Sequence, residues 1–157
     1  MNEADETRQL DELFRLSKGQ PVEWSGRLLW KAYKIQLGSR FERATISVRA
    51  FKDDPVQGIC LRLKSGQLEV EGQKSDGMVF WMDTAPTVLD IGIYGERDSV
   101  LEVWNCWRGK FGERAAWLRN AGLFADAPDD RHYRFCCSDG PGPVDFTALD
   151  FDLTLGG

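Results

Sequence analysis

Histidine is nearly absent from this 157-residue sequence, which contains only His132. No Cys-x-x-Cys pair is present either, so four cysteines and one histidine supply no common zinc-binding pattern. The chain has neither a Gly-x-Ser-x-Gly elbow nor a glycine-rich phosphate loop. These absences argue against a zinc site and against the best-known nucleophile and phosphate motifs. We expect His132 to be an exposed residue at the start of a strand.

Long apolar runs and an excess of positive charge are missing as well. No run approaches the length of about 20 apolar residues that crosses a bilayer, and residues 1–7 are acidic and polar, unlike a secretory signal. The net charge of −5 argues against a nucleic acid or a membrane as the partner. We therefore expect an acidic, cytoplasmic protein with unpaired cysteines that bind no zinc. These cysteines are Cys60, Cys106, Cys136 and Cys137.

What is present is typical of one globular domain, with 42% hydrophobic and 29% charged residues. Residues 1–20 are predicted to hold an amphipathic helix, spanning about residues 2–18, that belongs to this domain. Its narrow apolar stripe consists of Leu10, Leu13 and Phe14. We expect the helix to lie across an edge of the domain, although the stripe would also suit a dimerising or partner-binding helix.

The remaining residues, 21–157, form a single β-rich region in which apolar and polar residues alternate with a period of two. Short turns separate the alternating runs, and no helix–strand rhythm supports a parallel sheet. We predict a mainly β protein with an antiparallel sandwich that resembles a jelly roll, preceded by the N-terminal helix. A closed barrel is the alternative architecture.

The central feature of the predicted sheet is a β-hairpin within residues 88–107. Residues 95–99 form its turn, and the favoured register sets Ile93 opposite Leu101. A slip of one residue would place an apolar side chain opposite a charged one, so the register follows from the alternation. This hairpin defines which side chains point into the core.

A second hairpin is predicted to turn at residues 65–66, where Ser-Gly separates two alternating runs. It sets Leu63 opposite Leu68 and therefore places both in the core. Beyond the central hairpin the alternation stops, and residues 113–119 are predicted as two turns of helix.

Trp104 is the first candidate functional residue, because it projects from the face opposite to Leu101 and Val103. An outward tryptophan is either covered by another segment or serves as a ligand platform. Sugars stack on such rings and partner proteins anchor on them. We predict that residues 110–124 form the cover.

Three further candidate ligand-binding residues are Asn105 and Arg108, at the end of the hairpin, and Asp83, which follows the preceding apolar strand. Asn105 shares the inward face, so its amide must find partners, either in the segment after Trp107 or as part of a pocket. Arg108 lies just beyond the strand and is predicted to pair with an acid such as Asp83. Together with Trp104, these residues form the predicted ligand-binding set.

Asp139 and Asp145 flank a Gly-Pro-Gly-Pro loop and are the candidate metal ligands. Clustered loop carboxylates hold Ca²⁺, and paired carboxylates that flank a cleft hydrolyse glycosides. Their spacing does not match an EF-hand. Turn capping is therefore the favoured role, and a Ca²⁺ site is the alternative.

No motif identifies a family, and the features together favour a non-enzymatic β-sandwich without a cofactor. It would bind a protein partner or a small polar ligand such as a carbohydrate, with a homodimer as one option. A lectin-like carbohydrate-binding module assisted by Ca²⁺ is the first alternative, and a small hydrolase with paired carboxylates is the second. An exposed Trp104 beside free acids would favour a sugar, whereas a flat hydrophobic edge would favour a protein.

Overall fold

The structure is a computed structural model that describes residues 9–156. It is mainly β, with 58% strand and one short helix. The predicted antiparallel sandwich with an N-terminal helix is confirmed, and the barrel alternative is wrong because the described strands do not close. The elements are α1 Leu10–Leu16, β1 Val22–Trp24, β2 Arg27–Leu29, β3 Tyr33–Gln36, β4 Phe41–Phe51, β5 Gln57–Val70, β6 Gln73–Ser75, β7 Gly77–Trp81, β8 Val88–Arg108, β9 Arg114–Ala115, β10 Gly122–Asp126, β11 His132–Ser138 and β12 Leu149–Leu155.

Helix α1 buries the apolar stripe that the sequence predicted. The buried residues Leu10, Leu13 and Phe14 form a small core with Leu29 of β2. The predicted first turns, from residue 2, lie outside the described residues. No described helix has the length and apolar character needed to cross a membrane. The stripe is thus covered by the protein's own chain, as expected for a helix at the edge of the domain.

Two long antiparallel strands, β5 and β8, organise the sandwich. The first part of β8 pairs with β4 and the later part with β3, while β5 follows its other side. In this register Leu68 lies opposite Ile93, and Leu63 lies opposite Leu101. Both strands continue where the sequence predicted turns. Both predicted hairpins are therefore wrong.

A shared bend replaces the two predicted turns. Ser65 of β5 lies beside residues 96–99 of β8, which form a bulge between two regular stretches of pairing. The buried Ser99 hydroxyl donates to the Ser65 carbonyl oxygen at 2.9 Å and accepts from the Glu96 backbone N–H at 2.7 Å. Bulges of this kind bend a strand and allow it to serve two parts of a sandwich.

The inward and outward faces agree with the prediction although the register does not. Side chains alternate along both strands, so a hairpin and a continuous pairing can keep the same residues inside. The buried inward row of β8 is Leu89, Ile91, Ile93, Leu101, Val103, Asn105 and Trp107. It packs in the main core with the inward rows of β5, β4 and β12. The alternation fixed the faces, but it did not distinguish between partner strands.

Candidate functional site

Trp104 lies under the predicted cover. Its side chain is 9% exposed, and its ring centroid lies 5.2 Å from that of Trp117. The Trp117 indole N–H donates to the Lys31 carbonyl oxygen at 3.1 Å, which holds the covering ring in place. The covering residues are not the predicted helix: β9 is followed by turns with positive φ at Trp117 and Arg119. These left-handed conformations are incompatible with a continuous α-helix.

Asn105 is buried and ties β8 to the end of β11. Its Nδ2 donates to the Ser138 carbonyl oxygen at 2.9 Å. This bond reaches β11 rather than the segment after Trp107, which was one of the two roles considered for Asn105. The bond instead positions the loop that begins at Asp139, because Ser138 is the last residue of β11. A satisfied buried amide of this kind stabilises one arrangement of two strands.

Arg108 pairs with Asp83, as the sequence predicted. An Nη1 atom of Arg108 lies 2.7 Å from Asp83 Oδ2, and the guanidinium carbon lies 4.8 Å from the centre of the Trp81 ring. Both charged side chains are partly exposed. The contacts confirm the pairing, whereas ligand binding by Asn105, Arg108 and Asp83 stays a prediction.

Asp139 is buried, with 1% exposure, and one oxygen of its carboxylate contacts two side chains. Its Oδ2 lies 2.8 Å from Lys52 Nζ and accepts a hydrogen bond of 2.9 Å from Gln57 Nε2. Gln57 also donates to the Pro55 carbonyl oxygen at 2.9 Å. The ammonium group occupies the place that a cation would need. Asp139 therefore holds the loop of residues 52–55 in place through Lys52 and Gln57.

Asp145 is an exposed turn residue. Its Oδ1 accepts from the Thr147 hydroxyl at 2.6 Å and from the Thr147 backbone N–H at 2.9 Å. These bonds hold the pKa of Asp145 below its usual value. Within residues 9–156, no three acidic, histidine or cysteine side chains gather as a metal site. The alternative Ca²⁺ site is not assembled, and Asp145 caps a turn.

A cleft of about 740 Å³ opens at the end of the sandwich where β8 ends. It lies between residues 52–55, residues 107–119 and residues 140–142. Its charged lining consists of Lys52, Arg108, Lys110 and Arg119, together with Asp54 and Glu113. Lys110 and Arg119 form no ion pair within residues 9–156. Of the predicted residues, Arg108 lines this cleft, and Asp83 and Asp139 pair with two of its cations, Arg108 and Lys52.

One wall of the cleft is the segment of residues 109–119, here called the rim loop. It exposes three large apolar side chains, with Phe111 87%, Leu118 55% and Trp117 41% exposed. Gly109 N–H donates to the Glu113 carbonyl oxygen at 2.7 Å, and the Glu113 carboxylate accepts from Phe111 N–H at 3.0 Å, so the tip is ordered. Sequence reasoning treated this segment only as a cover. An aromatic residue flanked by Lys110 and Gly112 was the available signal for an exposed tip.

His132 lies at a second cleft of about 680 Å³, at the start of β11. Its Nδ1 lies 2.9 Å from Asp129 Oδ1. Backbone donation from Arg131 and contact with His132 lower the pKa of Asp129. Within residues 9–156 the imidazole hydrogen-bonds only to Asp129, so it engages no nucleophile. The predicted exposed histidine at a strand start is confirmed.

Comparisons with protein-family models, curated proteins and solved structures find no match for this chain. Its function therefore has to follow from the chemistry and geometry of the site.

Proposed function

We propose that the protein is a non-enzymatic binding module that docks a segment of a partner protein on the rim loop and its cleft. The observation that carries the proposal is the exposure of Phe111, Trp117 and Leu118 on one ordered loop. Isolated exposed apolar residues are common, but three on one loop beside a cleft are typical of an interaction surface. A few residues supply most of the binding energy at such surfaces, and tryptophan, tyrosine and arginine are enriched among them.

The charges around the cleft suggest the chemistry of the partner segment. Four cationic side chains line the cleft against two acidic ones, although the whole chain has a net charge of −5. Arg108 and Lys52 are already paired with carboxylates, which leaves Lys110 and Arg119 to meet an incoming group. A segment with an apolar side chain next to carboxylates would complement both features.

The two alternatives have less support. The carbohydrate alternative placed its platform at Trp104, and that ring is covered by Trp117. A hydrolase would need two carboxylates free to transfer protons or attack a sugar. Asp83 and Asp139 are instead paired with Arg108 and Lys52. The proposal therefore keeps a protein partner as the ligand.

A displayed library of random dodecapeptides, selected on the intact protein, tests the proposal. We expect selected peptides that combine an aromatic or aliphatic residue with acidic residues. Phe111→Ala should weaken their binding by about 30-fold, which corresponds to about 2 kcal/mol at a typical anchor. Its matched control is Phe41→Ala, at a phenylalanine that is 50% exposed and lies outside the rim loop.

Charge reversal at Lys110 is the second part of this peptide-binding test. Lys110→Glu should weaken binding of the same peptides, whereas Lys64→Glu, the same change at an exposed position of β5, should not. Selected peptides without acidic bias, or equal losses in test and control variants, would contradict the proposal. A glycan-array signal that depends on Phe111, with no peptide selected, would replace it with the carbohydrate alternative.

A further inference from the structure

Cys60 and Cys106 form a close thiol pair on the outer face of the sheet. Their sulfur atoms are 3.1 Å apart, and both side chains are buried. Cys60 lies opposite Trp104, and Cys106 lies opposite Gly58, so the two cysteines are diagonal neighbours on adjacent strands. Diagonal neighbours lie on one face about 7–8 Å apart, and the 3.1 Å separation of the sulfur atoms shows that these two side chains lean toward each other. The closeness of the sulfur atoms therefore follows from the register of β5 and β8.

Gly58 makes room for this arrangement. A Cβ atom at position 58 would lie 2.7 Å from Cys106 Sγ and 2.8 Å from the Trp81 ring. Any other residue would displace either the thiol or the ring that covers it. Trp81 and the Cys106 sulfur thus both pack against Gly58, while Trp104 lies opposite Cys60 and is covered in turn by Trp117.

The two thiols differ in their electrostatic surroundings. The hydrogen bond with Cys106 lowers the pKa of Cys60, and the Arg114 guanidinium lowers it further against the effect of burial. The same hydrogen bond, together with burial, raises the pKa of Cys106. Two thiols 3.1 Å apart, of which Cys60 is the one shifted toward ionisation, suit an attacking cysteine at Cys60 and a resolving cysteine at Cys106.

We propose that Cys60 and Cys106 are a peroxide-oxidised dithiol that closes to a disulfide between β5 and β8. The Cys60 thiolate attacks one oxygen of hydrogen peroxide, the O–O bond breaks, and the leaving hydroxide takes a proton to become water. The resulting sulfenic acid is attacked by the Cys106 sulfur, the S–O bond breaks, and the Cys106 proton leaves with the hydroxyl group as a second water. Two thiols and one peroxide thus give one disulfide and two waters.

The rim loop controls access to this site. Arg114 and Trp117 belong to it, and both lie over the face that carries the thiols. We expect peroxide to reach Cys60 when this short segment, which holds just the two-residue strand β9, moves aside. The oxidation rate should then follow local opening of the rim loop.

Peptide mapping of the peroxide-treated native protein tests the proposal. We expect an intact mass lower by two hydrogens and a single cross-linked peptide pair that joins Cys60 to Cys106. Cys60→Ser and Cys106→Ser should each abolish the mass loss, whereas Cys136→Ser, at the half-buried neighbour of Cys137, should retain it. Because the wild-type map is decisive by itself, a serine variant that misfolds does not remove the test.

Arg114 provides a readout that a purely structural role would not change. Arg114→Met should shift the pH profile of the oxidation rate to higher pH, because the guanidinium favours the Cys60 thiolate. A bridge between Cys136 and Cys137, oxygen added to Cys60 without a bridge, or no change in mass under peroxide would each overturn the proposal. So would bridge formation in Arg114→Met with an unchanged pH profile, which would remove the assigned role of Arg114.

Discussion

Replacing Trp104 with alanine should lower the free energy of unfolding by about 3–5 kcal/mol. A tryptophan side chain buries about 150–250 Å², and burial contributes about 25 cal/mol per Å². Trp104 is only 9% exposed, so the alanine variant loses the stabilisation from burying nearly all of this side-chain area. The tilted ring contact with Trp117 adds about 0.5–1.5 kcal/mol. The change is large because a rigid sheet face cannot collapse into the space left by the ring.

Urea unfolding followed by circular dichroism measures this loss, with the slope of the transition as a check on two-state behaviour. Trp117→Ala is the matched control, because Trp117 makes the same ring contact but is 41% exposed. It should cost about 1–2 kcal/mol, since less apolar area is lost. The two losses should not add in the double variant, since the ring contact is counted in both.

A decrease of less than about 1 kcal/mol in the free energy of unfolding of Trp104→Ala would contradict the reasoning, because removing a side chain this deeply buried costs more than that. It would mean that the rim loop does not cover Trp104 in solution. Additive losses in the double variant would have a narrower meaning. They would show that the two rings contribute separately rather than through their mutual contact.

Three further changes test the bend and the acid sensitivity of the fold. Ser99→Ala should cost about 1–3 kcal/mol in urea unfolding, because it removes two partly buried hydrogen bonds of about 0.5–1.5 kcal/mol each; an unchanged midpoint would show that the bend does not need this hydroxyl. Gly66→Ala should destabilise the protein by about 1–3 kcal/mol, since its Cβ would meet the backbone of β8. Gly38→Ala, which meets nothing within 4 Å, is its control. Hydrogen bonding from Arg131 lowers the pKa of Glu42 below 4.5, so this pair stabilises the fold above that pH and the contribution is lost as the pH falls through the lowered value. Glu42→Gln should therefore flatten the acid side of the stability–pH curve, and an unchanged acid limb would refute the assignment.

The faces of the sheet could be predicted from the sequence, and the pairing of its strands could not. Alternation places Leu63, Leu68 and Leu101 inside whichever partner each strand has. The choice between a turn and a bend depends on Ser99, whose hydroxyl links β8 to β5 across 34 positions of sequence. Local turn chemistry at Ser65 carries no information about that distant partner. From local sequence alone, a Ser-Gly pair between two alternating runs therefore predicts a hairpin turn, and only a long-range contact reveals the bend.

Contacts between distant residues also limited what the sequence could predict about the candidate site. The Arg108–Asp83 pair was predictable because both residues follow strand ends and carry opposite charges. The Lys52–Asp139 pair was not, because its burial depends on Gln57, which joins the loop after β4 to the loop after β11. Likewise, the cysteine spacing excluded common zinc motifs but gave no indication that the register brings Cys60 and Cys106 together.

A last prediction joins the two proposals, because the rim loop serves both. It presents Phe111 to a partner, and it holds Arg114 beside Cys60 and Trp117 over Trp104, the residue opposite Cys60. A peptide that binds the closed loop must slow its opening, so a saturating selected peptide should slow formation of the Cys60–Cys106 bridge by peroxide. Linkage requires the converse as well: if oxidation changes the loop, peptide affinity must change on oxidation. Mass-spectrometric time courses with and without peptide measure the first effect, and Phe111→Ala, which weakens binding, should remove it. An unchanged rate at saturation would show that peroxide reaches the thiols by another route, such as past Trp81 on β7.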